Sequence, residues 1–93
     1  MRAPKFSFHV NVETHDQTGE VLAVYLQIRK GKASTTREYA DGNLFADYDK
    51  RGELLGIEML APCRAAVLDR IATEAQEKRF LRRAVPRGML VKA

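Results

Sequence analysis

Apolar and polar positions alternate with period two through much of the first sixty residues. From Lys5 to Glu13, Phe6, Phe8, Val10 and Val12 share one parity, while Lys5, Ser7, His9, Asn11 and Glu13 share the other. Successive strand side chains point to opposite faces, so this alternation of aromatic and β-branched residues predicts a half-buried antiparallel strand. Glu20 to Lys30 resumes the pattern, with Leu22, Val24, Leu26 and Ile28 inward and Tyr25, Gln27 and Arg29 outward. Thr35 to Tyr39 reads as a short strand with a polar face, suited to a sheet edge. Asn43 to Asp49 and Glu53 to Leu60 complete the set, and Asp41-Gly42 marks a turn of the kind that uses positive φ.

The turns carry a repeat. Asp49 suits the first position of a type I turn, because its side chain can bond the backbone two residues on, and Gly52 suits the left-handed closing position. The same grammar stands 33 residues earlier: Asp16 matches Asp49, Gly19 matches Gly52, Glu20 matches Glu53, Leu22 matches Leu55 and Val24 matches Ile57. Two related β-hairpins are thus the expected skeleton. Short connections exclude parallel crossovers, so the strands form an antiparallel meander of four or five.

Downstream the period changes. Pro62 fits the first turn of a helix, and no Gly or Pro interrupts Arg64 to Val85. At about 100° per residue, Leu68, Ile71, Ala72 and Ala75 share a face, but continuing the wheel brings Arg79, Arg82 and Arg83 onto it. Phe80, Leu81, Ala84 and Val85 fall on the opposite side. One straight helix cannot bury both stripes on one sheet, so it is expected to kink or to extend past the sheet near residues 76–77. The expected organisation is one α+β domain over residues 1–93. Residues 1–62 form the antiparallel sheet, 63–85 the C-terminal helical segment and 86–93 a frayed tail.

Composition narrows the function classes. With 45% hydrophobic and 30% charged residues, the chain is a globular protein and not a disordered tail. It lacks a membrane-length apolar run and a signal-peptide core, and its single cysteine, Cys63, allows no intrachain disulfide. A small cytoplasmic bacterial-style protein is the expectation. The net charge of +4 is uneven: residues 64–93 carry eight Lys or Arg against three Asp or Glu, whereas residues 1–63 carry eight against nine.

Candidate chemistry is sparse. Asp47, Asp49 and Glu53 surround a glycine turn, but Arg51 stands where a calcium loop wants a carboxylate or amide, so no metal is expected. His9 and His15 lack metal-pair spacing. Cys63 reads as a small buried filler, against a nucleophile paired with either histidine. No cofactor and no catalytic residue is assigned, and the protein is read as a non-enzyme. Two binding readings remain. Phe80, Leu81, Ala84 and Val85 would meet a second copy, as a dimer, or a small partner protein. Alternatively Lys78, Arg79, Arg82, Arg83 and Arg87 would grip the phosphates of a nucleic acid, as in a regulatory or antitoxin-like protein.

Residues from about His15 to Pro62 carry a resemblance. Leu22-Ala-Val-Tyr25-Leu26 is followed by Asp47-Tyr-Asp49-Lys-Arg-Gly52-Glu-Leu-Leu-Gly56-Ile57-Glu58-Met-Leu60. This resembles a small, mostly bacterial family known as a domain of unknown function, with Gly-Ile-Glu as its specific part. The resemblance implies a small β-rich fold with a helix and no assigned activity. Some relatives look like partners of small toxin-like proteins, which implies a protein-binding module.

Overall fold

The structure, a computed structural model, describes residues 5–91. Five strands form one antiparallel sheet: β1 (His9–Thr14), β2 (Val21–Gln27), β3 (Thr35–Tyr39), β4 (Leu44–Tyr48) and β5 (Leu54–Met59). Their spatial order is β1-β2-β5-β4-β3. The first hairpin therefore docks against the last strand of a three-stranded meander, and every neighbour is antiparallel. Two helices follow, α1 (Ala65–Ile71) and α2 (Ala75–Ala84), and the fold is α+β.

The hairpin turns differ in detail. At the second, Gly52 N–H donates to Asp49 O, the Asp49 carboxylate accepts from Arg51 and Glu53 N–H, and Gly52 has φ +83°. That is the expected geometry. In the first, Gly19 N–H reaches back to His15 O, and the His15 Nδ1 accepts from Gln17 and Thr18 N–H. His15, not Asp16, occupies the place of Asp49, because this turn is one residue longer.

Register pairs put the core on one face. Val24 and Leu44 both lie opposite Met59, and Leu26 and Ala46 both lie opposite Ile57, all of them fully buried. Leu68, Ile71, Ala72, Leu81 and Val85 cover that face. A bulge makes the first correction to the expected pattern. Ile28 and Arg29 N–H both donate to Leu55 O, so two residues oppose one and Arg29 turns inward, leaving it only 8% exposed.

The helical segment is also corrected. Its break falls at Ala72–Glu74, just before 76–77: Ala72 is extended, with φ −82° and ψ 135°. Glu74 and Glu77 then start α2 by a reciprocal capping box, each side chain accepting the other's backbone N–H. The break re-aims the second apolar stripe, so both stripes enter one core. Helix α1 starts at Ala65, because Cys63–Arg64 pairs in parallel with Leu90–Val91 as a two-residue bridge of strands β6 and β7. Met89 is buried. The tail from Arg87 to Val91 is accordingly docked; residues 92–93 of the expected tail lie outside the described residues. No helix among the described residues is long and apolar enough to cross a membrane.

Candidate interaction surface

Of the four apolar residues assigned to an interface, two are core. Leu81 is fully buried and Val85 nearly so, while Phe80 and Ala84 are half-buried. Phe80 turns toward the sheet, where its ring stacks on Phe8 at 4.4 Å; Phe8 in turn stacks on Phe6 at 5.0 Å. The expected outward stripe is thus corrected to a seam between α2 and the start of β1.

Beyond that seam the cover stops. Val10 lies opposite Leu26 and Val12 opposite Val24, so both valines share the helix-side face with fully buried neighbours. Yet Phe8 is 38% exposed, Val10 44%, Val12 40% and Leu22 44%, because α2 reaches no further than Phe8. β1 is thereby less buried than its alternation predicts. An apolar shelf results, continuous with a groove lined by Phe8, Gln76, Arg79, Phe80, Arg83 and Ala84. Scattered exposed apolar residues are ordinary, whereas a contiguous patch is the mark of a contact surface. The sequence signal for it was present in Phe8, Val10 and Val12, but alternation alone cannot say whether a helix covers that face.

The arginine stripe divides. Arg82 donates to Asp69 of α1 at 2.6 Å, and this hydrogen bond holds Asp69 below the ordinary carboxylate range. Arg79 and Arg83, one turn apart, are exposed at the groove and have no salt-bridge partner among the described residues. Arg87 lies beyond the helix in the turn that leads to β7, and Lys78 is half-buried on α2. Three side-by-side arginines become two free ones.

Asp47, Asp49 and Cys63 do not converge. Asp47 accepts from the Thr36 hydroxyl at 2.6 Å on the sheet face away from the helices, while Asp49 is occupied in its turn. Cys63 is buried, and burial pushes its thiol above the ordinary value, the reverse of what activates a nucleophile. Asp47 points away from the helices by simple alternation after the buried Leu44 and Ala46; the register shift comes only after it, between Asp47 and Tyr48.

That uncovered face explains the Gly-Ile-Glu run. A Cβ on Gly56 would stand 2.5 Å from the Tyr25 hydroxyl and 3.0 Å from Leu26 O, so only glycine lets Tyr25 lie flat across the sheet. Burial, then Asp47 and then Glu58 raise the Tyr25 phenol above its ordinary value. Ile57 of the run is core and Glu58 is exposed.

One buried cluster escaped sequence reasoning. Arg29 donates to Glu77 at 2.8 Å, to Glu74 at 3.1 Å and to Leu54 O, with Glu53 at 3.6 Å. Glu77 is 1% exposed and also accepts from Thr73 and Glu74 N–H. The group locks sheet to helix: the two terminal nitrogens of the guanidinium are engaged, while its buried Nε has no hydrogen-bond partner closer than the Glu53 carboxylate at 3.6 Å, so its role is architectural.

Comparisons with curated proteins and with solved structures returned no match. Among protein families, residues 15–61 match the one described as protein of unknown function (DUF2283), a span of just over half the 93 residues that holds β2 to β5 and both related turns. The chain belongs to the DUF2283 family of proteins of unknown function.

Proposed function

We propose that the protein is a non-enzymatic interaction module. It meets a second copy or a small partner protein across the shelf of Phe8, Val10, Val12 and Leu22, with Phe80 and Ala84 of α2 at its side. The observation that carries this reading is the run of large apolar side chains left 38–44% exposed on one continuous face. Arginines at the rim suit it, since Arg and aromatic residues are enriched in interfaces.

The test compares the wild-type chain with a Phe80→Asp/Val12→Asp variant. Solution molar mass by light scattering and retention of cell-extract proteins on the immobilised chain are both measured. Loss of self-association or of retained protein, with the circular dichroism spectrum kept, is the expected result. If neither readout changes, the shelf is not a working surface.

A second reading, nucleic-acid binding, is favoured by one observation: Arg79 and Arg83 stand a turn apart and free of carboxylates among the described residues. Phosphate contacts release counterions, so affinity would fall steeply with salt, with a slope of about 0.9 per contact on duplex DNA. Arg79→Ala/Arg83→Ala would flatten that slope by roughly two such contacts. An apolar interface is far less salt-sensitive.

A further inference from the structure

The shelf ends at a free sheet edge. Among the described residues β1 is hydrogen-bonded on one side only, because it is the first strand in the spatial order β1-β2-β5-β4-β3. Exposed strand edges are guarded in most proteins by lysine, proline or inward charges, since a second strand can add there. The two edges differ here. β3 carries Arg37 at its centre, and a second β3 paired antiparallel about that residue would set arginine against arginine. β1 reads His-Val-Asn-Val-Glu-Thr and has no lysine, arginine or proline.

We infer that the occupant of the shelf is a second copy of this chain. Its β1 pairs antiparallel with β1 about a twofold axis at Asn11, making one continuous ten-stranded sheet. This inference rests on the interaction-module reading and specifies its partner and register.

Three observations fix the register. Residues directly opposite in a sheet share a face, so a symmetric pairing must centre on a residue; a centre between residues would set Val10 against a polar neighbour. Ser7 N–H donates to Ile28 O, so the amides of the odd residues turn to β2, and alternation leaves those of Val10 and Val12 facing the free edge. Centring on Asn11 therefore hydrogen-bonds Val10 to the other copy's Val12, valine against valine on the helix side. On the opposite face the same register sets His9 against the other copy's Glu13, twice per pair. Centring on Glu13 would oppose carboxylates, and centring on Val12 would set Glu13 against Asn11. Centring on Val10 would pair valine with valine but set His9 against Asn11 and Glu13 against Ser7, so of these registers the Asn11 one pairs Val10 with Val12 and gives Glu13 a histidine partner.

The pairing also accounts for the exposed valines. Each copy's Val10 and Val12 gain a neighbour on the side that α2 does not reach. The two α2 helices then stand on the same side of the joined sheet, because the axis runs perpendicular to it.

The experiment uses the full chain. Light scattering of the wild type is expected to give twice the 10.5 kDa chain mass. Val10→Lys/Val12→Lys is expected to be monomeric with an unchanged circular dichroism spectrum. His9→Glu is expected to weaken association roughly tenfold by opposing carboxylates, and His9→Glu/Glu13→Lys to restore it. Asn11→Cys maps the axis. A non-hydrogen-bonded antiparallel pair holds its Cα atoms about 4.5 Å apart, within disulfide range, so mild oxidation should yield a covalent dimer. Glu13→Cys should not, and Cys63 is buried in both.

A wild type that stays monomeric at high concentration overturns the inference. A dimer indifferent to the lysine, His9 and Asn11 variants overturns it equally. In the first case the interaction-module reading survives if the Phe80→Asp/Val12→Asp variant still loses a retained protein, so the two failures are separable.

Discussion

Replacing Arg29 with methionine tests whether the buried cluster holds sheet and helices together. Among the described residues the guanidinium is the only cation on Glu77, which is 1% exposed. Glu53 and Glu74 have side chains 42% and 38% exposed, so water takes over most of what they lose. The cost is therefore dominated by Glu77. Stranding one partner of a buried pair costs about 3–5 kcal/mol, and Leu54 O loses its donor as well. A domain of this length has about 5–14 kcal/mol in total, so Arg29→Met removes a large share.

The double variant Arg29→Met/Glu77→Leu separates charge from packing. Exchanging both partners for apolar groups is often close to neutral, and what stays lost is the donor to Leu54 O and the cap that Glu77 gives to Thr73 and Glu74 N–H, together about 2 kcal/mol. The double is thus expected to be more stable than Arg29→Met alone. Urea unfolding followed by far-ultraviolet circular dichroism measures both. A loss under about 1 kcal/mol in the single variant would refute the reasoning, as would a double variant that loses the sum of the singles.

Three further outcomes are expected. Leu81→Ala should lose about 2–5 kcal/mol by urea unfolding, whereas Phe80→Ala, half-buried at the seam, should lose less; the reverse order would place Leu81 outside the core. Gly56→Ala should destabilise by about 1–3 kcal/mol because its Cβ meets the Tyr25 ring and hydroxyl, and Tyr25→Ala in the same chain should relieve part of that loss. Burial raises the Cys63 thiol above 9.0 and the Tyr48 phenol above 10.0, the latter helped by its 3.0 Å hydroxyl pair with Tyr39. Each raised group favours the folded chain while neutral in it. Stability should thus be full below about pH 9 and fall as pH rises further, with a shallower fall in Tyr48→Phe.

Sheet, turn residues and helical segment were legible because each rests on a local rule. Asp49 and Gly52 behave as turn chemistry requires, and Val24, Leu26, Ile57 and Met59 follow period two into the core. Arg29 was not legible, since its alternation says outward and only the pairing of Ile28 and Arg29 with a single Leu55 carbonyl reveals the bulge. The break at Ala72–Glu74 had a signal in Glu74 and Glu77, three apart, which can cap one another. A helical wheel continued through that break loses its phase, which is why it puts Leu81 and Val85 opposite the core stripe they in fact join. The order of the sheet was hidden for another reason: local grammar predicts hairpins, but not which hairpin edge meets the other.

The family match and the proposed working surface occupy different parts of the fold. Residues 15–61 supply β2 to β5, whereas Phe8, Val10 and Val12 precede them and Phe80 follows. The two flanking segments meet in space, through the Phe8–Phe80 stack and the Lys5–Glu74 ion pair. β2 to β5 alone would leave Leu26, Ile57 and Met59 bare on the helix side, so the flanks complete the core before they offer any contact. The shelf exists because β1 widens the sheet by one strand more than two short helices can cover. Membership in the family therefore covers the part of the sheet from β2 to β5, within which the Tyr25–Gly56 contact lies. Partner choice, on this reading, is decided by β1 and α2. Exchanging Val10 and Val12 should change association while leaving the sheet intact, and Gly56→Ala should weaken the sheet without altering which partner a folded molecule takes.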